Sequence, residues 1–145
     1  MVVFVHGLLI LSIMLDKNYK KVIFGSKINR RKNNKWFIKV AICDDEINQC
    51  AVLEKIIIEY FNNRAEKCEV EVWYDSMSLC RDIKEFNPQI LFLDIELPGD
   101  NGVYAGKYIR ETLHNDRMNI VFISHKTSYA MELFQIHPYD FLIKP

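Results

Sequence analysis

Five short, largely apolar runs recur through the second part of this chain, and each is followed by a polar or charged residue. The runs lie at Phe37–Cys43 and at residues 69–74, 90–93, 119–123 and 139–143. Between them, apolar residues recur at helical spacing. These stretches lie at residues 47–61, 76–86, 102–113 and 128–135. Short apolar strands that alternate with helices are typical of a parallel sheet covered on both faces, so we predict an α/β fold.

Polar residues at the ends of these strands should meet at one edge of the sheet. In open parallel sheets, ligands bind beyond the carboxyl ends of the strands. The residues at those ends are Asp44 and Asp45 after the first strand, Asp94 on the third, Ser124 on the fourth and Lys144 after the fifth. Each of them alone is an ordinary turn or capping residue. Their recurrence at four strand ends of one sheet is what indicates a site.

Three carboxylates at one edge repel one another and require a cation. Oxygen ligands without thiols favour a hard ion, and Mg²⁺ is the natural choice. A carboxylate beside such an ion can attack a phosphoryl group and form an aspartyl phosphate. The transfer needs mainly positioning and charge neutralisation. The set therefore indicates phosphoryl transfer, with Lys144 and Ser124 contacting the phosphoryl oxygens.

The formal net charge of zero averages two unlike parts of the chain. Residues 1–36 hold eight Lys or Arg and one Asp, whereas residues 37–145 hold 11 Lys or Arg and 18 Asp or Glu, a net of 11 − 18 = −7. An acidic body argues against direct binding of nucleic acid. Its four cysteines lack metal-site spacing and indicate free thiols in a reducing cytosol. They are Cys43, Cys50, Cys68 and Cys80.

Residues 1–36 are apolar first and basic afterwards. Residues 2–15 are too few for a membrane-spanning helix of about 20 residues. Positive charge follows the apolar run, whereas a secretory signal carries it in front. We therefore expect an unstructured extension without membrane contact. The alternative is an anchor that keeps the body in the cytoplasm, in agreement with the positive-inside rule.

Four stretches of the body resemble the receiver domain of bacterial response regulators. They are residues 41–46 (AICDDE), 93–102 (LDIELPGDNG), 122–125 (FISH) and 139–145 (YDFLIKP). The resemblance covers about residues 37–145 and is strongest to receivers joined to LytTR-type DNA-binding domains. It implies a doubly wound, five-stranded parallel sheet with strand order 2-1-3-4-5. It also implies a cytoplasmic two-component (phosphorelay) signalling module rather than an enzyme.

The resemblance implies a role for each acidic residue. Asp94 would be phosphorylated by a sensor histidine kinase. Asp45 would bind Mg²⁺ directly, Asp44 would bind it mainly through water, and the backbone carbonyl of Glu96 would complete the protein ligands.

The resemblance also implies a switch. Ser124 would contact the phosphoryl group and Lys144 would pair with it. Phe141 would rotate inward as Ser124 moves, which would change the surface that meets a partner. A homodimer formed on phosphorylation is compatible with this arrangement.

The chain departs from the family at its end. Family members continue with a fifth helix and commonly an effector domain, whereas this chain ends at Pro145. We therefore expect the final helix to be missing and no DNA-binding domain in this chain. Such a helix would bury about five apolar side chains, roughly 10 kcal/mol, against a typical domain stability of about 5–15 kcal/mol. The alternative function is therefore an inactive truncated remnant or a protein-interaction decoy.

Two other classes fit the motifs less well. A phosphatase of the haloacid dehalogenase type would need a second Asp two residues after Asp94, where Glu96 stands. A flavodoxin-like FMN binder would need a glycine- and hydroxyl-rich loop after the first strand. Three acids stand there instead and would repel a phosphate.

Overall fold

Five parallel strands form one sheet in the order β2-β1-β3-β4-β5. The structure, a computed structural model, describes residues 37–144. The strands are β1 (Phe37–Cys43), β2 (Lys67–Trp73), β3 (Ile90–Asp94), β4 (Asn119–Ser124) and β5 (Asp140–Ile143). The predicted doubly wound sheet and its strand order are confirmed. The described residues end at Lys144, directly after β5. The predictions for residues 1–36 lie outside the described part of the chain.

Helical segments connect the strands. They are α1 (Ile47–Asn62), α2 (Ser76–Phe86), α3 (Gly102–Lys107), a π-helical turn (Tyr108–Thr112) and a 3₁₀ helix (Thr127–Ile136). The helix predicted over residues 102–113 thus changes from α to π geometry. The amide of Leu113 donates to the carbonyl of Tyr108, five residues earlier. The short helix predicted over residues 128–135 lies where expected but has 3₁₀ geometry, which hydrophobic spacing does not distinguish from α.

Capping residues mark both ends of α2. Ser76 is its first residue, and the capping residue before it is Asp75, whose side chain accepts a hydrogen bond from the amide of Ser78 at 2.8 Å. At the other end, Asn87 adopts the left-handed conformation that stops a helix, with φ of 49°. Either Asp or Ser can cap a helix, so composition alone did not decide between adjacent candidates.

Two apolar clusters form on opposite faces of the sheet because successive strand residues point to opposite sides. One face carries α2, α3 and the 3₁₀ helix, and its buried sheet residues are Ala41, Cys43, Trp73, Leu91, Leu93, Ile120 and Phe122. The other, which we call the α1 face, packs against α1 through Ile38, Val40, Ile42, Ile90, Phe92 and Val121. Every residue of β3 is buried. A strand covered on both sides accounts for its uninterrupted apolar run.

All four cysteines lie in the described region, and all of them are free thiols. Burial raises the pKa of Cys50 and of Cys80 to about 11, so both thiols stay protonated at neutral pH. None of the helices within residues 37–144 is long and apolar enough to cross a bilayer.

Candidate functional site

A buried lysine joins two buried carboxylates at the carboxyl edge of the sheet. Asp44 directly follows β1, Asp94 ends β3 and Lys144 directly follows β5. The Nζ atom of Lys144 lies 2.8 Å from Oδ2 of Asp44 and 2.8 Å from Oδ2 of Asp94. The three residues are only 5%, 2% and 6% exposed, in chain order Asp44, Asp94 and Lys144. The parallel topology therefore brings charges from three strands into one desolvated group.

Asp45 completes an acidic triad. Carboxylate oxygens of Asp44, Asp45 and Asp94 lie within 4.8 Å of one another, and Asp45 is the exposed member. Backbone amides fix the two buried carboxylates. Oδ1 of Asp44 accepts from the amide of Glu46 at 2.9 Å, and Oδ1 of Asp94 accepts from the amide of Glu96 at 2.9 Å. Each buried carboxylate is thus held by one backbone amide and one ammonium.

Burial and pairing set the charges of this group. Burial raises the pKa of Asp44, and hydrogen bonds from Lys144 and from the amide of Glu46 oppose that rise. Burial by itself would lower the pKa of Lys144, but its hydrogen bonds to Asp44 and Asp94 raise it well above the ordinary value. Lys144 is therefore an ammonium at neutral pH. One ammonium against three carboxylates leaves an excess of negative charge.

The donor set of the triad fits a hard divalent cation. All its donor atoms are carboxylate oxygens, which Mg²⁺ prefers. An octahedral Mg²⁺ binds oxygens at about 2.0–2.1 Å, so opposite ligands stand about 4 Å apart. The 4.8 Å spread of the triad is close to this span. The residues present can therefore hold a metal ion whose charge offsets the remaining carboxylates.

Two glutamates extend the site toward the loop after β4. Oε1 of Glu46 lies 3.3 Å from Nζ of Lys144 and 3.9 Å from Nε2 of His125. Oε2 of Glu96 accepts from the amide of His125 at 3.0 Å, and its Oε1 lies 3.6 Å from Nζ of Lys126. Sequence analysis gave Glu96 a role only through its backbone carbonyl and gave Glu46 and His125 none. The available sequence signal for a role of Glu46 was its position directly after two aspartates.

Ser124 and Phe141 lie on neighbouring strands of the face opposite α1. Ser124 is fully buried, and its Oγ accepts a hydrogen bond from the amide of Lys126 at 2.9 Å. Phe141 is half-buried, is the register partner of Phe122 and packs against the cluster that contains Leu133 of the 3₁₀ helix. The structure thus brings both residues to the β4–β5 region, and their switch role stays a prediction.

The loop after Asp94 closes tightly on the strand. The amide of Gly102 donates to the carbonyl of Ile95 at 3.0 Å. A Cβ atom on Gly102 would collide with the carbonyl oxygen of Asp94. The hydroxyl of Ser76 donates to the carbonyl of Asp100 at 2.5 Å and ties the loop to the start of α2. A glycine eight residues after Asp94 is therefore required by close approach of the backbone.

Known proteins share this sequence pattern. The Response regulator receiver domain family matches residues 40–145. The sensory transduction protein LytT of Oceanobacillus iheyensis is 39% identical over 62 residues, which are 43% of this chain and 25% of that protein. LytT of Bacillus subtilis is 30% identical over 112 residues, 74% of this chain and 42% of that protein. The chain thus spans only about a quarter to two fifths of these relatives.

Solved structures share the fold. TrrA from Thermotoga maritima, in complex with Mg²⁺ and BeF, is 19% identical with a TM-score of 0.63, and the match covers 74% of this chain and 87% of that one. The Mn²⁺-bound form of Rcp1 is 14% identical with a TM-score of 0.64, covering 74% and 81%. The family match covers most of the chain, and the fold agrees with it. The chain therefore belongs to the response regulator receiver domain family, whose members are signalling modules rather than classical enzymes.

Proposed function

We propose that this receiver domain is the phosphoacceptor of a two-component system and takes a phosphoryl group on Asp94 from a sensor histidine kinase in the cytoplasm. The observation that carries the proposal is the buried bridge of Lys144 between Asp44 and Asp94. Here one ammonium meets two buried acids, with exposed Asp45 beside them. This excess of negative charge suits a site that binds a cation before an anionic group arrives.

The proposed reaction is an in-line displacement at phosphorus. A carboxylate oxygen of Asp94 forms a bond to phosphorus, the phosphorus–nitrogen bond of a phosphohistidine breaks, and the imidazole leaves and takes up a proton. The Nζ atom of Lys144 lies 2.8 Å from Oδ2 of Asp94 and would pair with a phosphoryl oxygen, whose negative charge it would stabilise during the transfer. The amide of Glu96 holds Oδ1, so the carboxylate is oriented before the reaction begins.

A metal ion fits the same site. Mg²⁺, when bound by Asp44, Asp45, Asp94 and the backbone carbonyl of Glu96, supplies positive charge to the phosphoryl oxygens. The Mg²⁺ complex of TrrA and the Mn²⁺-bound form of Rcp1 support this choice of ion.

The proposed switch uses the hydroxyl of Ser124. An aspartyl phosphate adds strong acceptor oxygens and negative charge of about −1.5 to −2. The hydroxyl, which now accepts from the amide of Lys126, would turn to donate to a phosphoryl oxygen. Phe141, half-buried on the next strand, would then move into the vacated space. The surface formed by the 3₁₀ helix and β5 would change and be read by a partner.

Intact mass after incubation with acetyl phosphate and Mg²⁺ tests the proposal. We expect a gain of one phosphoryl group that requires Mg²⁺, is lost in Asp94→Asn and is retained in Asp100→Asn. Asp100 is a matched control because it is an exposed acid of the same loop, outside the triad. A gain that survives Asp94→Asn would contradict the acceptor assignment. A cooperatively folded sample that gains nothing would favour the inactive remnant or decoy.

A further inference from the structure

Arg110 of the π-helical turn binds the carboxyl-terminal end of the 3₁₀ helix. Its Nε atom donates to the carbonyl of Ile136 at 2.9 Å, and its terminal nitrogens donate to the carbonyls of Asn115 at 2.5 Å and His137 at 3.3 Å. Ile136 is the last residue of the 3₁₀ helix and His137 is its capping residue. The last carbonyls of a helix lack partners within it, and a positive charge is favourable there. Arg110 supplies both from 26 residues earlier in the chain.

The same end of the helix packs closely against α3 and β4. Ile136 is 1% exposed. A Cβ atom on Gly106 of α3 would lie 3.1 Å from Cγ2 of Ile136 and 2.8 Å from Cζ of Phe122. The absence of a side chain at Gly106 therefore allows the helix to approach this closely. Close packing and three hydrogen bonds from one guanidinium fix this end, and these partners are distinct from the residues of the acidic site.

The amino-terminal end of the 3₁₀ helix is held by the proposed phosphorylation site. Residues 125–128 are exposed, and the capping residue Lys126 makes no side-chain capping hydrogen bond within residues 37–144. The amide of Lys126 donates to Oγ of Ser124 at 2.9 Å, and the amide of His125 donates to Oε2 of Glu96 at 3.0 Å. The proposed switch reorients Ser124, so it disturbs this end of the helix directly.

The position of the 3₁₀ helix depends on these contacts at its ends. 3₁₀ geometry gives poorer hydrogen bonds than α geometry, and runs of more than about four residues are uncommon. This helix has ten residues. Its buried side chains Leu133 and Ile136 belong to its carboxyl-terminal half, whereas Met131 is 77% exposed. The two ends thus differ in both hydrogen bonding and burial.

We infer that Arg110 is the pivot of the switch, about which the 3₁₀ helix tilts when Asp94 is phosphorylated. The inference rests on the proposed phosphoacceptor function. A 3₁₀ helix rises about 2.0 Å per residue, so Thr127 lies about 18 Å from Ile136, whereas Phe134 lies about 4 Å from it. A tilt displaces each residue in proportion to this distance, about four times as far at Thr127 as at Phe134. A partner that senses the tilt therefore contacts the amino-terminal half of the helix.

Hydrogen exchange of the full 145-residue chain, measured by mass spectrometry with and without acetyl phosphate and Mg²⁺, tests the inference. The intact mass of the same samples records the phosphoryl group. In the phosphorylated wild type, we expect exchange of residues 125–129 to change by about two- to tenfold, the factor that gain or loss of one hydrogen bond gives. Exchange of residues 133–137 should stay unchanged.

Arg110→Met removes the three hydrogen bonds, and Arg117→Met makes the same substitution at an exposed residue nearby. We expect both variants to gain one phosphoryl group. In Arg110→Met, phosphorylation should now change exchange of residues 133–137 as well, whereas Arg117→Met should behave like the wild type. A purely structural cap would instead raise exchange of residues 133–137 equally with and without the phosphoryl group.

The outcomes separate the pivot from the acceptor assignment. A mass gain with equal exchange changes at both ends of the wild-type helix, or with none at residues 125–129, would overturn the pivot alone. So would an Arg110→Met protein that responds to phosphorylation as Arg117→Met does. A folded wild type without a mass gain would overturn the proposed function and the pivot together. The wild-type comparison needs no substitution, so the test stays decisive if Arg110→Met does not fold.

Discussion

The Nζ atom of Lys144 lies 2.8 Å from Oδ2 of Asp94, a residue 50 positions earlier in the chain. The same atom lies 2.8 Å from Oδ2 of Asp44. Two buried carboxylates therefore depend on one buried ammonium for charge compensation. A substitution that removes the ammonium of Lys144 therefore removes the charge compensation of both acids at once.

Lys144→Met should lower the free energy of unfolding by about 3–5 kcal/mol, because it leaves two buried carboxylates without their counter-charge. Urea denaturation followed by circular dichroism measures this change. Lys126→Met is the matched control, since the Lys126 side chain is 64% exposed and pairs with Glu96 at 3.6 Å. We expect the control to change stability by less than about 0.5 kcal/mol. Equal losses in the two variants would mean that the buried bridge adds no stability.

The stability difference between wild type and Lys144→Met should depend on pH. Pairing with Asp44 and Asp94 raises the folded-state pKa of Lys144 above the ordinary value for lysine, which is about 10.4. A raised pKa means that the stabilisation is complete below the unfolded-state pKa and is lost as pH rises through the folded-state pKa. We expect a constant difference from pH 7 to about pH 10 and a smaller one above that. Urea titrations of both proteins at each pH measure it, and a difference that grows with pH would contradict the assignment.

Asp45→Asn should weaken Mg²⁺ binding with little effect on stability. Asp45 is the exposed member of the triad. Loss of an outer-shell partner typically costs about 10- to 100-fold in metal affinity, and loss of a direct carboxylate ligand should cost at least as much. Isothermal titration calorimetry with MgCl₂ measures the affinity, and Asp100→Asn is the control that should keep it. Unchanged affinity in Asp45→Asn would remove this carboxylate from the proposed metal site.

Gly102→Ala should damage both stability and the site. Its Cβ would collide with the carbonyl oxygen of Asp94, so the backbone at the proposed acceptor must move. Overpacking of this kind costs about 1–3 kcal/mol. We expect a lower urea midpoint together with weaker Mg²⁺ binding.

Gly99→Ala is the control for Gly102→Ala, because it adds backbone strain without displacing the site. Gly99 has a φ of +76°, but a Cβ there would meet nothing within 4 Å. Alanine at such a position costs about 1–2 kcal/mol through backbone strain alone. Stability should fall while the Mg²⁺ affinity stays unchanged. A Gly102→Ala protein with full Mg²⁺ affinity would show that the loop adjusts without moving Asp94.

Hydrophobic spacing along the sequence predicted most of the strands, and hydrogen bonding between strands decided where they begin and end. The apolar run of β3 was recognisable because each of its residues is buried. β2 was predicted to begin at residue 69 but begins at Lys67, which is the register partner of Phe37 on β1. Lys67 has little strand preference of its own, so its inclusion comes from hydrogen bonding to its neighbour.

The sequence by itself determined the parallel α/β sheet and the edge at which Asp44, Asp94 and Lys144 meet, because the residue after a strand must lie at that strand's carboxyl end. Only the tertiary structure decided that Glu46 reaches Lys144, 98 residues away, and that Glu96 holds the amide of His125, 29 residues away. These contacts depend on the paths of three loops. Loop paths follow from how the helices pack on the sheet, and no local spacing records that packing.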